Sequence, residues 1–394
     1  MAMNKAVKRG REFLHTPGPT NMPDRILRAM DRPALDHRSP GFREVAQECF
    51  ERLRDVFKTE RPVIIYPAAG HGAWEASLVN TCSRGDTVLM PETGAFSNMW
   101  RNMAEALGLK VEYLPGDWRH GADPEAISER LAADRGHIIK AVAVVHNETS
   151  TGVTSRLEEI GNAIKQTNHP ALFLVDTISS LGSIEFRMDA WNVDVAVGGS
   201  QKGLMLPPGM SFNAISEKAW HTSEKNSMQR RYWDWKMFMP DGKNPGFLST
   251  PPIQMFFGLQ EALVMLDEEG LDNVFLRHQR IATAVRSAIT HWGKSGTLEL
   301  LSLDPREHSN SISAILFNKP CDVDEFRSVC REKHSVALAA GLERLAKQVF
   351  RIGHLGDLNE PMILGTLAGV EMTLKKQKIP YEPGGVEAAI SALI

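Results

Sequence analysis

Residues 171–203 contain two short apolar runs, each followed closely by a charged side chain. Ala-Leu-Phe-Leu-Val at 171–175 ends at Asp176, and Val-Ala-Val at 195–197 leads through a glycine-rich turn to Lys202. Such runs are typical of strands that are buried on both faces of a parallel sheet. In an open α/β sheet, ligands bind at the carboxyl edge of the strands. The sequence therefore predicts that Asp176 and Lys202 lie at a ligand site.

A lysine paired with a carboxylate is the combination that pyridoxal 5′-phosphate (PLP) requires. This cofactor is held by a lysine amine as a Schiff base, and an anion keeps its ring nitrogen protonated so that the ring can accept electrons. Lys202 and Asp176 can supply both groups. The residues alone leave a second interpretation open, in which Asp176 caps a helix and Lys202 is a surface lysine.

Three segments carry a resemblance to a known family. They are Val175-Asp176, Ser200-Gln201-Lys202 and the run Arg-Ile-Gly-His-Leu-Gly at 351–356. In this order they resemble the class V aminotransferases, and within that class the serine–glyoxylate and alanine–glyoxylate aminotransferases are most similar. The resemblance extends from Pro17 to about Glu371. It implies an α/β protein of PLP-dependent transferase fold type I, with a large domain on a mainly parallel sheet flanked by helices and a small C-terminal α/β domain.

The expected organisation is an extended segment at 1–20, a large PLP-binding domain at 21–285 and a small domain at 286–394. Apolar periodicity and apolar runs predict the individual elements. The predicted helices are 41–58, 155–167, 254–268, 272–292 and 323–332, and the predicted strands include 62–67, 85–90, 140–145 and 311–317. The polar, aromatic and proline-bearing stretch at 221–250 predicts a long loop, and a loop of that length is usually functional or disordered.

A glycine-bearing turn predicts where a phosphate binds. Gly70, His71 and Gly72 directly follow the predicted strand at 62–67 and open a helix that runs to about Thr81. Backbone N–H groups at the start of a helix lie at the positive end of its dipole, which suits an anion. Two glycines in a turn are weak evidence by themselves, but their position after a strand fits a PLP phosphate.

The resemblance assigns further residues to the site. The cofactor-binding residues that it implies, besides the catalytic Lys202 and Asp176, are Gly70, His71, Gly72, Phe96, Thr149, Ile178, Gln201 and Thr250, and the substrate-binding residues are Gly18, His37 and Arg351. Phe96 would stack on the cofactor ring and Thr149 would lie at the ring hydroxyl. Thr250 would contact the phosphate of the partner subunit, near which His37 would also lie. Arg351 would bind the substrate carboxylate.

Some of these residues have simpler explanations. A phenylalanine after a strand, such as Phe96, is usually part of the core, and a histidine in a polar loop, such as His37, is usually only solvated. Arg351 has nearby acids in Asp357 and Glu360, so a structural salt bridge is the alternative to carboxylate binding.

Composition limits the class of protein. Of the 394 residues 42% are hydrophobic and 24% charged, as in an ordinary soluble globular protein, and the net charge of −3 gives no argument for nucleic acid or an anionic membrane. No apolar stretch approaches a membrane span, and the basic N-terminus lacks the apolar core of a signal peptide. Four cysteines without paired spacing favour reduced thiols and a cytoplasmic location. No metal-ligand spacing is present, so no metal is expected.

The leading functional prediction is a homodimeric PLP-dependent aminotransferase. The amino group would pass from a small amino acid, with serine the first choice, to glyoxylate or a similar 2-oxo acid. Aspartate or alanine as donor, and pyruvate as acceptor, stay open. A cysteine desulfurase is a rival because Cys321 and Cys330 lie in the last third of the chain, although Gln201 stands where desulfurases carry histidine, and we interpret Cys330 as core. A binding scaffold without catalysis is the third alternative.

Overall fold

The computed structural model describes residues 10–394 as an α/β fold with two main sheets. Residues 1–9, which hold most of the basic N-terminus and the first part of the predicted 1–20 segment, lie outside the described residues. The strands are β1 (Phe13–His15), β2 (Val63–Tyr66), β3 (Thr87–Pro91), β4 (Lys110–Leu114), β5 (Ile139–Val145), β6 (Asn147–Glu148), β7 (Val153–Thr154), β8 (Leu172–Asp176), β9 (Val195–Gly199), β10 (Ser211–Ile215), β11 (Leu298–Leu300), β12 (Ile312–Phe317), β13 (Val336–Ala340) and β14 (Val349–Gly353).

The helices cover both faces of the large sheet and one side of the small one. They are α1 (Asp24–Met30), α2 (Pro40–Phe57), α3 (Gly70–Thr81), α4 (Ala95–Ala106), α5 (Pro124–Ala133), α6 (Leu157–Gln166), α7 (Glu217–Lys225), α8 (Trp235–Phe238), α9 (Ile253–Glu269), α10 (Leu271–Trp292), α11 (Val323–His334), α12 (Glu360–Lys376) and α13 (Gly385–Leu393). Among residues 10–394, no helix is long and apolar enough to cross a membrane.

The large sheet has seven strands in the order β2-β10-β9-β8-β5-β3-β4. All neighbouring pairs from β9 to β4 are parallel, and β10 runs antiparallel to both β2 and β9. In the central register Asp176 lies between Val145 of β5 and Val197 of β9. The predicted mainly parallel sheet is therefore present, and it places Asp176 at the carboxyl edge of its middle strand.

Helix α2 shows how local sequence determines an element. Ser39 caps its N-terminus by accepting a hydrogen bond from the Phe42 amide, and Pro40 occupies the first turn, where its missing N–H costs nothing. One face buries apolar side chains from Phe42 to Phe57, and the helix ends where Lys58 adopts a left-handed conformation. Helix α2 packs against α9 on one face of the large sheet. Helices α3 and α4 pack on the other face.

The small sheet has the order β1-β13-β14-β12-β11 and carries Arg351 on its central strand. Strand β1 joins it in parallel with β13, so Phe13–His15 of the N-terminal segment lies in the same sheet as the C-terminal strands. Helix α10 runs through residue 285 without a break. The proposed domain limits of 1–20, 21–285 and 286–394 stay a prediction.

The stretch at 221–250 differs from the predicted long loop. Helix α7 extends to Lys225, and α8 (Trp235–Phe238) forms a further turn capped by the Asp234 side chain. Trp235 and Phe238 are buried, which anchors the segment to the large domain core. The periodicity was too short to show in the sequence because α8 has only four residues.

Candidate active site

Lys202 lies three residues beyond the end of β9 and is buried. Its Nζ donates a 2.5 Å hydrogen bond to the carbonyl oxygen of Pro17, so the surface-lysine interpretation is wrong. Gly18 has φ +131°, and a Cβ atom there would lie 2.6 Å from the Lys202 Cδ, Cε and Nζ atoms. Only glycine fits this approach. The Thr20 amide and hydroxyl bind the carbonyl oxygens of Gln201 and Lys202.

The charge on Lys202 is disfavoured in this setting. Burial, together with the nearby Arg351 charge, lowers the pKa of the Lys202 amine to about 8, and the Asp176 charge partly opposes this shift. A lysine with a depressed pKa has a larger share of the neutral amine at physiological pH, and the neutral amine is the nucleophile. Lys202 is therefore chemically suited to attack the carbonyl carbon of a cofactor.

Asp176 ends β8 and is buried beside the lysine. Its Oδ1 accepts a 2.7 Å hydrogen bond from the Ile178 amide. Residues 178–183 form turns and no helix follows Asp176 directly, so the helix-cap interpretation of Asp176 is wrong. Burial raises the pKa of the Asp176 carboxyl to about 7, while the Ile178 amide and the charge of Lys202 lower it. A buried carboxylate with so few partners favours a cationic group next to it.

The predicted phosphate turn lies at the start of α3, directly after β2. The N-cap residue Ala69 offers no side-chain acceptor to the first turn. A Cβ atom at Gly70 would collide with Ile178, and one at Gly72 would lie 2.6 Å from the Trp233 ring. His71 is exposed and packs 4.6 Å from the Trp74 ring, measured between centroids.

Gln201 has a buried polar atom near this turn, because Ile178 lies against both Gly70 and Gly199. Its Oε1 atom is buried without a hydrogen-bond partner among the described residues, and it would lie 3.4 Å from a Cβ atom at Gly199. A side-chain amide turned by 180° keeps its shape and presents N–H donors at the same place. A buried polar atom without a partner is costly, so Gln201 and the uncapped start of α3 suit the phosphate of PLP. Lys202 suits its aldehyde, and Asp176 suits its ring nitrogen.

Thr149 and Phe96 lie at the neighbouring strand end, held by Glu148. Thr149 is buried, and its Oγ1 donates a 2.9 Å hydrogen bond to Ser179 Oγ. The Glu148 carboxylate is buried and accepts hydrogen bonds from the Phe96 and Ser97 amides at the start of α4, so it both supports the loop and caps a helix. Phe96 is half-buried and packs edge-on against Trp74 at 6.3 Å between ring centroids. The half-exposed ring is free to contact a further flat group.

Arg351 is buried on β14 without an acidic partner. Its Nε donates to the Ala340 carbonyl at 2.8 Å and its Nη1 to the Thr149 carbonyl at 2.7 Å. The salt-bridge interpretation is wrong, because Glu360 pairs with Arg280 and no acid of residues 10–394 lies within 4.0 Å of Arg351. Burial lowers the pKa of this guanidinium to about 10.

The guanidinium of Arg351 has donors to spare. A guanidinium carries five N–H groups in a planar fork. Two of them are used by the Ala340 and Thr149 carbonyls, which leaves one on Nη1 and two on Nη2. One N–H from each of these two nitrogens can act as a pair of parallel donors, which is the geometry that a carboxylate accepts. A substrate carboxylate would also neutralise the buried charge.

His37 and Thr250 do not join these residues within one chain. His37 is half-buried, with its Nδ1 3.7 Å from Asp36 Oδ1, and Thr250 is exposed. Thr250 borders a small groove with Ile65, Pro67 and Phe247. Both positions suit residues that act in a neighbouring subunit, and their assignment stays a prediction.

Other groups were missed in the sequence or bear on the alternatives. Thr20 and Ser179 were not singled out, although the polar run after Ile178 at a strand end is a signal for Ser179. Cys330 is buried within α11, as predicted, and burial raises the pKa of its thiol to about 11, which opposes a role as a nucleophile. Within residues 10–394 no group of three or more His, Cys, Asp or Glu side chains could hold a metal ion.

The fold and this arrangement define a PLP-dependent enzyme that acts on amino acids. The sequence matches the model of the family "Aminotransferase class-V" over residues 13–352, and the chain belongs to this family. It is 44% identical to a serine–glyoxylate aminotransferase of Methylorubrum extorquens, over 98% of this chain and 96% of that protein.

Two further relatives support the assignment. The chain is 40% identical to an L-aspartate–glyoxylate aminotransferase of Paracoccus denitrificans, over 95% of this chain and 94% of that protein. Among solved structures, ureidoglycine–glyoxylate aminotransferase from Bacillus subtilis superimposes with a TM-score of 0.90 at 27% identity, covering 98% of this chain and 99% of that one. The family membership confirms the predicted class, fold type and cofactor. The two relatives matched over nearly their whole length are aminotransferases, which supports amino-group transfer over the desulfurase and scaffold alternatives.

Proposed function

We propose that this protein is a homodimeric aminotransferase that transfers the amino group of serine to glyoxylate. The observation that carries the proposal is the unpaired fork of Arg351 next to the buried amine of Lys202. Together they provide one carboxylate site and one nucleophilic amine, which an α-amino acid and a 2-oxo acid can use in turn. The similarity to a serine–glyoxylate aminotransferase over nearly the whole chain supports the choice of substrates.

Each site residue has a proposed role. PLP, when bound, supplies a ring that accepts the electron pair left on the substrate Cα when its proton is removed. Lys202 would hold the cofactor through its amine, and the same amine would move a proton between the substrate Cα and the C4′ carbon of the cofactor. Asp176 keeps the ring nitrogen protonated. Arg351 orients the substrate by its carboxylate.

The remaining contacts position the cofactor. Gly70, His71, Gly72 and Gln201 hold the phosphate, and the phosphate of one subunit is also held by Thr250 of the other chain. Phe96 and Ile178 would contact the ring, and Thr149 would bind its hydroxyl. Gly18 and His37 border the substrate. The domain limits of 1–20, 21–285 and 286–394 and a cytoplasmic location are part of the proposal, and the four free cysteines support the latter.

Aspartate is the second candidate donor, because a relative at 40% identity carries that activity in its name. Aspartate has two carboxylates, whereas Arg351 offers one fork. A second cation would have to come from the partner subunit, where the segment around His37 is the candidate. One fork suits serine better, and alanine and pyruvate remain comparison substrates.

A half-reaction screen tests the proposal. The PLP-loaded enzyme is mixed with serine, aspartate or alanine separately, and the loss of the cofactor's visible absorption is followed in time. We expect serine to react fastest, and glyoxylate to restore the absorption faster than pyruvate. The Lys202→Ala variant is the control for reactions that do not use the site. If no amino acid exceeds the rate in that control, the proposed function is wrong.

A further inference from the structure

A buried polar cluster lies directly behind the cofactor residues, centred on Ser179. This serine follows Ile178 at the carboxyl edge of the large sheet and is 3% exposed. Its Oγ lies 2.7 Å from the Asn147 carbonyl oxygen, 2.9 Å from Thr149 Oγ1 and 3.0 Å from Asn147 Nδ2. All three contacts are to the segment that leads from β5 to the cofactor loop.

The directions of these hydrogen bonds follow from the single proton of the hydroxyl. A carbonyl oxygen can only accept, so the Ser179 hydroxyl donates its hydrogen bond to the Asn147 carbonyl oxygen. Ser179 Oγ then accepts from the Thr149 hydroxyl and from the Asn147 amide, which uses both of its lone pairs. The hydroxyl is therefore fully satisfied, and it fixes both ends of the 147–149 segment.

The same cluster reaches the small sheet through Ser311. Ser311 Oγ donates to the Ser179 carbonyl at 2.9 Å and accepts from Asn147 Nδ2 at the same distance. Ser311 immediately precedes β12, in which Ala314 pairs with Arg351 of β14. Arg351 in turn donates to the Thr149 carbonyl. The contacts thus form a closed circuit between the two sheets.

We propose that Ser179 is a positioning residue that holds the Thr149 carbonyl against Arg351 and so orients the free fork of the arginine. Ser179 does not touch the substrate. Its hydroxyl holds residues 147–149, and Ser311 holds the start of β12, the strand that pairs with β14 at Arg351. The inference rests on the proposed role of Arg351 in binding the substrate carboxylate.

The test measures carboxylate binding without turnover. The probe is 3-hydroxypropionate, which is serine without its amino group, and its Kd is read from the change in the visible absorption of the PLP-loaded enzyme. Ser179→Ala is compared with Ser183→Ala, which removes an equally buried hydroxyl from the same turn whose bond is to Ser180. Arg351→Lys reports whether the arginine binds the probe, and thermal unfolding reports stability.

We expect Ser179→Ala to raise the Kd at least fivefold and Ser183→Ala to change it less than twofold, at similar losses of Tm. Equal Kd values for both serine variants would overturn the proposal. If Ser179→Ala does not fold, Ser311→Ala decides, because it removes the link to the small sheet alone, and an unchanged Kd there rejects the circuit. If Arg351→Lys binds the probe as wild type does, the role of Arg351 itself fails, which is distinct from failure of Ser179 alone.

Discussion

Lys202 Nζ and the carbonyl oxygen of Pro17 are hydrogen-bonded although 185 residues separate them in the sequence. The bond brings the N-terminal segment over the amine that the chemistry needs. Since that segment continues from β1 in the small sheet, the lysine of the large sheet is enclosed by a part of the chain that belongs structurally to the other sheet. The site is therefore assembled from both sheets.

Replacement of the lysine tests its chemical role. We expect Lys202→Ala to abolish turnover while the protein stays folded and binds PLP, because the phosphate and ring contacts do not involve the amine. The measurements are steady-state rate, circular dichroism and PLP content after dialysis. After borohydride reduction, PLP should stay attached to the denatured wild type and be lost from the denatured variant. Near-wild-type turnover would exclude Lys202 as the proton carrier.

The close approach of Gly18 to the lysine predicts a steric effect. In Gly18→Ala the new methyl group would lie 2.6 Å from the Lys202 side chain, at φ +131°. We expect activity to fall at least tenfold, with a loss of about 1–3 kcal/mol in the free energy of unfolding.

Gly296→Ala is the matched control for this prediction. Gly296 also has a positive φ, +71°, but a Cβ atom there meets nothing within 4 Å. The control also places an alanine at positive φ but without the clash, so its activity should stay within twofold of wild type. Equal activities of the two variants would show that the contact between Gly18 and Lys202 has no functional effect.

The exposure of Thr250 predicts that it acts across a dimer interface. Lys202→Ala and Thr250→Trp chains should each be inactive alone as homodimers. In a mixed dimer one site receives an intact lysine and an intact threonine, so random pairing should restore about a quarter of wild-type activity. The measurement is turnover after subunit exchange, which a tagged pull-down verifies. Activity that stays absent in verified mixed dimers would mean that Thr250 serves its own chain.

Much of this site was predictable because its main residues follow buried strands. The apolar runs before Asp176 and Lys202 specify both strands, and parallel strands bring their carboxyl ends to one edge. Arg351 was predicted from a motif. That it forms no salt bridge with Asp357 or Glu360 could be seen only once the packing of β14 and α10 was known. Ser179 and Thr20 escaped notice because single hydroxyl side chains are common, and their importance depends on partners that are distant in sequence.

The raised pKa of Asp176 predicts opposite effects on stability and rate. In the cofactor-free protein the folded state holds this proton up to about pH 7, whereas an ordinary aspartate releases it near 3.8. The free energy of unfolding therefore falls as pH rises through that window. Asp176→Asn does not titrate. Its free energy of unfolding, relative to that of wild type, should therefore be about 2–4 kcal/mol higher at pH 8 than at pH 4, since one pKa unit is worth about 1.4 kcal/mol.

With PLP the variant should lose at least tenfold in rate, because an amide does not stabilise the charged ring nitrogen. Urea unfolding of the cofactor-free proteins at both pH values and the single-turnover rate with serine test this. Parallel pH dependence in the two proteins would show that Asp176 is not the titrating group, and a rate within tenfold of wild type would exclude it as the partner of the ring nitrogen.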